Sequence, residues 1–457
     1  MTEANGVIEI DVLIVRSAFL QCHGGVGDVD LVEFSDQVKC KDSGDSTHVR
    51  IRLKAVKLNT LAHHLMHKIY LMHILMKKPQ NGQLKFESSG DQLTLGVEVE
   101  LQVLDGEQLK LTPRAQSLLD VVDNKKFDNE FFQSTLEIKT DVCQDAGAIE
   151  GDLAKSFKLL KDLAVHQGLA IGASGTHPLS DYRDHLITPS DRYAQLIDRN
   201  QWIVRRMAVY GMHIHLGMRS GDDCIKNSFF FFHLLPHLLG LSASSPFWQG
   251  KDTGLYACRP TTYEALPTAG MPYLVKNWKE FQKLYRFLLK SDSIQGMKDL
   301  WWDIRPSPGY GTLELRFCDQ PATLDEMSAI SAFVHMLAMW FRDHEQEWNA
   351  RHASVKKWII RENKWRTIRY GLDAEIVTTS TGRTKSLRKD ILDWLEKLSP
   401  YAAKLNYDRY VNIIRDVCFK GNSSQRQREV FSKTNDVGQV VAHNVLEFRN
   451  GHPDWLS

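Results

Sequence analysis

The chain reads as an α+β protein built on a one-sided antiparallel sheet, and three observations carry that reading. Four segments alternate apolar and polar residues, and helical stretches separate them. None of the four is the continuous Val, Ile and Leu run expected of a parallel strand covered on both faces. In Leu95–Val103, Glu98 and Glu100 share one face and Val97, Val99 and Leu101 the other. A strand has a side-chain period of two, so one of these faces belongs to the core. Leu136–Lys139 presents Glu137 in the same way, Met212–Leu216 presents His213 and His215, and Thr312–Cys318 presents Glu314 and Arg316. Placed in one sheet, the polar alternates form a floor of carboxylates, imidazoles and a guanidinium. A merely solvated face would carry Thr, Lys, Ser and Glu without such a pattern.

The helices follow from punctuation and periodicity. Gly147 to Gly168 is amphipathic and ends at a glycine. Ser190 to Met207 opens after Thr188-Pro189, with Leu196, Ile197 and Ile203 on its inner side. Thr323 and Glu326 have the spacing of a capping box, which predicts a helix to about Arg342. The chain from about 345 onward is expected to be mostly helical. The apolar run Phe229–Leu241 is too short for a membrane span and contains His233, Pro236 and His237, which predicts a buried helix.

Residues 1–90 differ from the rest. Strands are expected over Ile8–Val15 and Val49–Ala55, a helix over Lys57–Lys78 and a linker over Lys77–Gln83. The loosely spaced His63, His64, His67 and His73 on that helix read as surface residues. The predicted division is therefore an N-terminal α/β extension, 1–90, and a main domain, 91–457.

With 457 residues, 43% of them hydrophobic and 25% charged, the chain can bury a large core and lacks the composition of a disordered protein. A net charge of +1, from 57 basic and 56 acidic residues, argues against nucleic-acid or anionic-membrane partners. The seven cysteines are scattered and contain no C-x-x-C pair, so they read as reduced thiols of a cytoplasmic protein. The N-terminus has neither the basic nor the apolar stretch of a signal peptide.

The chemistry must be read without the usual nucleotide motifs. The sequence has no G-x-x-x-x-G-K-[ST] loop, no G-x-G-x-x-G after a strand and no G-x-S-x-G elbow. Phosphates, if they bind, must be held by metal ions and basic side chains. Glu98, Glu100, Glu137 and Glu314 are hard oxygen ligands suited to Mg²⁺ or Mn²⁺, and His213 and His215 can complete such a site. Arg305, Arg316, Arg366 and Arg369 can neutralise phosphate oxygens. The prolines and Gly309 of Trp302–Gly309 stiffen the turn that carries Asp303 and Arg305. Arg366 and Arg369 lie i, i+3 on a short helix ending at Gly371 and are expected on one face.

Eight stretches, in order, resemble a known family: Thr94–Val103, Ser134–Cys143, Gly175–Pro178, Tyr210–Gly217, Ser242–Thr253, Trp302–Pro308, Gly311–Arg316 and Arg369–Ala374. They are similar to motifs of the bacterial carboxylate-amine ligases, the type 2 glutamate–cysteine ligases. The resemblance implies a glutamine-synthetase-like cup, with a curved antiparallel sheet and helices on its outer face. It implies ATP-dependent activation of a carboxylate, typically the γ-carboxylate of glutamate, as an acyl phosphate, followed by attack of an amine such as that of cysteine. On that basis Glu98, Glu100, Glu137, His215 and Glu314 would hold divalent metals. Arg316 and Arg305 are the catalytic candidates, with Arg316 on the transferring phosphoryl group. Arg305, Arg366 and Arg369, with His213, would bind substrate carboxylate or phosphate. A homo-oligomer is an expectation of the resemblance alone, and residues 1–90 have no counterpart in the short members of the family. Two other readings stand beside it: a metal-dependent amide hydrolase built on His213-x-His215 and carboxylates, and a non-catalytic relative used for binding.

Overall fold

The computed structural model describes residues 8–12, 37–39, 48–53, 84–122, 124–352 and 356–455. The chain divides into two compact units, Met1–Gly82 and Gln83–Ser457. In the first, β1 (Ile8–Val12) pairs in parallel with β3 (His48–Leu53), and β3 pairs antiparallel with β2 (Gln37–Lys39). The helix and linker expected over 57–83, with their four histidines, lie outside the described residues.

The second unit begins earlier than the expected boundary near 90. Glu87 N–H donates to the Pro308 carbonyl at 2.9 Å and Ser89 N–H to that of Met218 at 3.1 Å, which ties 84–90 to this unit. Gly311 is required where this segment passes, because a Cβ there would lie 1.7 Å from the Glu87 carbonyl oxygen and φ is +66°.

The central sheet contains β4 (Leu95–Asp105), β5 (Phe127–Asn129), β6 (Thr135–Lys139), β7 (Leu169–Gly172), β8 (Gly211–Gly217), β9 (Ile304–Ser307) and β10 (Thr312–Asp319). Its order is β9-β10-β8-β4-β6-β5, with β7 on the far end of β4, and every ladder is antiparallel. The expected fold class is the observed one. Val97, Val99, Leu101, Leu136, Ile138, Met212, Ile214, Leu313 and Leu315 are buried on one face. Against this face pack α1 (Ala146–His166), α3 (Gly221–Ser242) and α4 (Leu324–His352). Hydrophobic burial thus holds one side of the sheet and leaves the other side to chemistry.

Local signals explain the helix ends. Asp145 caps α1 by accepting from Ala148 N–H at 2.8 Å, and Gly168, at φ +67°, follows its end. The apolar run 229–241 lies inside buried α3, with Pro236 in the helix. No helix among the described residues is long and apolar enough to cross a membrane. The five cysteines among the described residues are free and buried.

One helix expectation needs correction. Ser190–Met207 is not one helix but α2 (Asp191–Asn200) and a turn at Trp202–Arg205, divided by Gln201 at φ +51°. Leu196 and Ile197 of α2 and Ile203 and Val204 of the turn still pack on one apolar cluster, as expected, but from two segments set apart by the break. The helix begun at Thr323 breaks at His344, close to the expected end near Arg342, and a further helical stretch continues from the kink to His352.

The C-terminal helices close on a buried ion triad. Arg426 of α6 (Ser423–Thr434) donates to both Glu326 carboxylate oxygens at 3.0 Å. It also reaches Glu447 of α7 (Val437–Asn450) at 2.5 Å, and all three side chains are buried.

Two buried histidines make stability depend on pH. Burial lowers His177 and His335 from 6.5 to about 4. His335 Nδ1 accepts from the Tyr407 hydroxyl at 2.9 Å, which in turn accepts from Ala146 N–H at 2.6 Å. Between pH 4 and 6.5 the unfolded chain binds more protons than the folded one at these sites, so stability rises with pH across that window. Each histidine contributes a slope of up to about 1.4 kcal/mol per pH unit. Thermal melts should therefore fall steadily from pH 6.5 towards 4 and flatten in His335→Gln and His177→Gln variants. Unchanged slopes in both would refute the assignment.

Candidate active site

The register of the sheet sets the expected floor in three rows. The first runs Arg305, Glu314, His215, Gly96 across β9, β10, β8 and β4. His213, Glu98 and Lys139 form the second, across β8, β4 and β6. Glu100, Glu137 and Asp128 form the third, across β4, β6 and β5. Arg316 enters beside His213 as the next polar alternate after Glu314, and β10 then carries a bulge. Leu315 faces Ile214 and Cys318 faces Met212, so Arg316 and Phe317 together oppose one residue.

Glu98 is the centre of this floor. One of its oxygens lies 3.2 Å from His213 Nδ1 and the other 3.5 Å from His215 Nε2. Burial would raise the Glu98 carboxyl, but the two imidazoles outweigh it and hold the group below the usual carboxylate range. His215 Nδ1 is fixed by the Thr312 hydroxyl at 2.9 Å, while Glu100 lies 3.9 Å from His213 Nε2 and accepts from Gly211 N–H at 2.5 Å. Burial, and then Arg316, keep His213 below its ordinary value.

These residues fit a divalent cation. Ligand atoms of Glu98, His215 and Glu314 lie within 4.8 Å of one another, and so do those of Glu98, Glu137 and His213. His213 Nε2 and His215 Nε2 are buried without a hydrogen-bond partner among the described residues. Burial and the charges of Glu130 and Glu98 push the Glu137 carboxyl well above its ordinary value. Burial and Glu100 push Glu130 up to about 7. Crowded carboxylates beside orphaned imidazole nitrogens are the donor set of an oxygen-preferring metal site.

Glu314 has a second attachment. Both of its oxygens accept from Arg305, at 2.7 to 3.0 Å, and Arg316 also donates to it. The two guanidiniums hold its carboxyl low against the effect of burial. Arg305 is further tied to the Leu300 carbonyl at 3.2 Å. Asp303, which the stiff turn was expected to aim, is buried as a post: it accepts from Lys364 at 2.6 Å and from the Tyr263 hydroxyl at 2.5 Å.

Arg366 and Arg369 are not brought to the floor. They lie on α5 (Lys357–Tyr370), where Arg366 pairs with Glu362 and the Glu375 carbonyl, and Arg369 donates to the Gly254 carbonyl. The inward face of this helix is taken by Ile360, Thr367 and Lys364, whose ammonium is drawn to Asp303 and Glu264. Sequence reasoning also missed Asp128, Glu130, Lys139, Tyr193, Arg192 and Lys298, which line the cavity of about 470 Å³ above the floor. β5 spans only three residues, too few to show an alternation.

Solved structures share this architecture. The fold is similar to that of glutamate–cysteine ligase from Francisella tularensis in complex with AMP, with TM-score 0.58 and 14% identity over 79% of this chain and 90% of that one. It is also similar to a bifunctional glutathione synthetase from Pasteurella multocida, with TM-score 0.54 and 15% identity over 85% of this chain and 53% of that one. At these identities the likeness is one of fold. Sequence comparison adds the class: the protein is a carboxylate–amine ligase. It belongs to glutamate–cysteine ligase family 2 (GCS2), whose sequence model matches residues 94–443. A Bdellovibrio bacteriovorus protein named "Putative glutamate--cysteine ligase 2" is 40% identical over 80% of this chain and 96% of its own length. A protein of that name from Gloeobacter violaceus is 38% identical, over 76% and 95%. This membership favours the ligase reading over the amide-hydrolase one.

Proposed function

We propose that the cup uses ATP to activate the γ-carboxylate of glutamate and then joins it to an amine such as that of cysteine. The carboxylate oxygen takes the γ-phosphoryl group of ATP, giving an acyl phosphate and ADP. The amine then attacks the acyl carbon, loses a proton and displaces phosphate. The observation that carries this reading is Glu98, held between two imidazoles and shared by two overlapping ligand groups beside Arg316.

Glu98, Glu137 and His213 would hold one Mg²⁺ or Mn²⁺, and Glu98, His215 and Glu314 a second, with Glu100 beside His213. When bound, such ions neutralise phosphate charge, which is most of what phosphoryl transfer asks of a protein. Arg316, which donates to Glu314, would stabilise the phosphoryl group, and Arg305 would hold Glu314 in register with it. Arg192 and Lys298 line the same cavity and can meet a substrate carboxylate or phosphate.

The test is release of ADP and phosphate by the purified full-length protein. Release should require Mg²⁺, ATP, glutamate and an amine together, and mass spectrometry across an amine panel should find a γ-glutamyl product. Equal ATP turnover without glutamate or amine would overturn the reading.

A further inference from the structure

Around the bulge in β10, main-chain groups of Arg316 and Cys318 take partners outside the pairing with β8. Arg316 N–H donates to the Asp303 carbonyl at 2.8 Å. On the acceptor side, one guanidinium nitrogen of Arg259 donates to the Arg316 carbonyl at 3.2 Å and to the Cys318 carbonyl at 3.1 Å, spanning the bulge. Arg259 is 5% exposed, and its guanidinium lies 5.1 Å from the Tyr263 ring centroid. Tyr263 in turn holds Asp303, the residue that receives Arg316 N–H.

The sequence makes room for this arrangement. A Cβ at Gly211 would fall 2.0 Å from Arg259 Nη2 and 2.5 Å from its Cζ, so the guanidinium reaches the bulge only across a glycine. A buried charge is costly to desolvate, and here its hydrogen bonds go to the carbonyls of one irregular turn of strand. Arg316 keeps the alternation that sends Glu314 to the floor, and the bulge shows just beyond it, where Phe317 and Cys318 are both fully buried.

We propose that Arg259 is a positioning residue: by clamping the bulge of β10 it holds Arg316 against the floor of the cup. The inference rests on the role proposed above for Arg316. A side chain aimed through a clamped backbone loses its geometry when the clamp is removed, and a misplacement of about 1 Å at such a site costs on the order of a hundred-fold in rate.

The experiment compares Arg259→Met, Arg259→Lys and Gly211→Ala in the full-length protein. Arg259→Met should keep its helical circular dichroism and its KM for ATP and glutamate within about threefold, while kcat falls about a hundred-fold. Arg259→Lys, which can still donate to one carbonyl, should recover part of that loss. Gly211→Ala, which keeps its N–H but displaces the guanidinium, should reproduce the Arg259→Met phenotype and tests the idea even if Arg259→Met folds poorly. Amide hydrogen exchange over 312–319 should accelerate in Arg259→Met and Gly211→Ala. This readout needs no activity, so it separates a failure of the clamp from a failure of the ligase reading. A kcat within threefold of the parent, a loss that only follows the folded fraction, or unchanged exchange over 312–319 would overturn the proposal.

Discussion

Replacing Glu98 by Gln is expected to lower ADP release by on the order of 10²–10³-fold while the protein still folds. The carboxylate touches both imidazoles and belongs to both candidate ligand groups, so one substitution weakens both. Gln keeps the shape and an acceptor oxygen but gives up the charge. It also gives up the charged contacts with His213 and His215 that hold Glu98 below the usual carboxylate range, so the melting temperature should fall modestly while the fold persists. Mn²⁺ titration followed by electron paramagnetic resonance should show weakened binding in parallel with the lost rate. Normal turnover with normal Mn²⁺ binding would sink the assignment of the floor.

The second large effect concerns stability. Arg426→Met should destabilise the protein by roughly 3–5 kcal/mol, because it leaves two buried carboxylates without their cation. Glu326 and Glu447 both depend on that guanidinium. Burial opposes ionisation of Glu447, but Arg426 and His443 hold its carboxyl down to about 2, against an ordinary 4.5. A depressed carboxylate contributes stability above its unfolded value and loses it as pH falls towards the folded one. The parent should therefore lose this contribution between pH 4.5 and 2, and the variant should lack that phase. Thermal and urea melts across pH measure it. A loss below about 1 kcal/mol near neutral pH would contradict the triad's role.

Much of the floor was legible because antiparallel sheets turn a period of two into a shared face. Glu98, Glu100, Glu137, His213, His215, Glu314 and Arg316 were each visible as polar alternates, and the register places them side by side. What was not legible depends on distant partners. Arg366 and Arg369 were expected at the site, yet Lys364 takes the inward position on their helix because Asp303 and Glu264 wait for it. Nothing near residue 364 in the sequence announces that pairing. Arg192 and Tyr193 reach the cavity from the first turn of α2, and Gln201 breaks the expected helix at a positive φ that Gln rarely adopts. The bulge itself is invisible in Thr312–Cys318, where the alternation looks unbroken until Phe317 and Cys318 are both found buried.

The order of strands across the sheet has a consequence for how this protein comes into being. β4 sits between β8 and β6, and β10 joins only beyond β8, so the floor unites residues 98 and 316 through pairings that no short loop can close. Non-local pairings of this kind form slowly, after loop-closure entropy has been overcome. During synthesis the chain must extend past Asp319 before Arg316 can meet His213 and Glu98. A partly made chain can bury its first helices against β4, but it holds no complete cup. Catalytic competence arrives late and all at once, when the last strand docks.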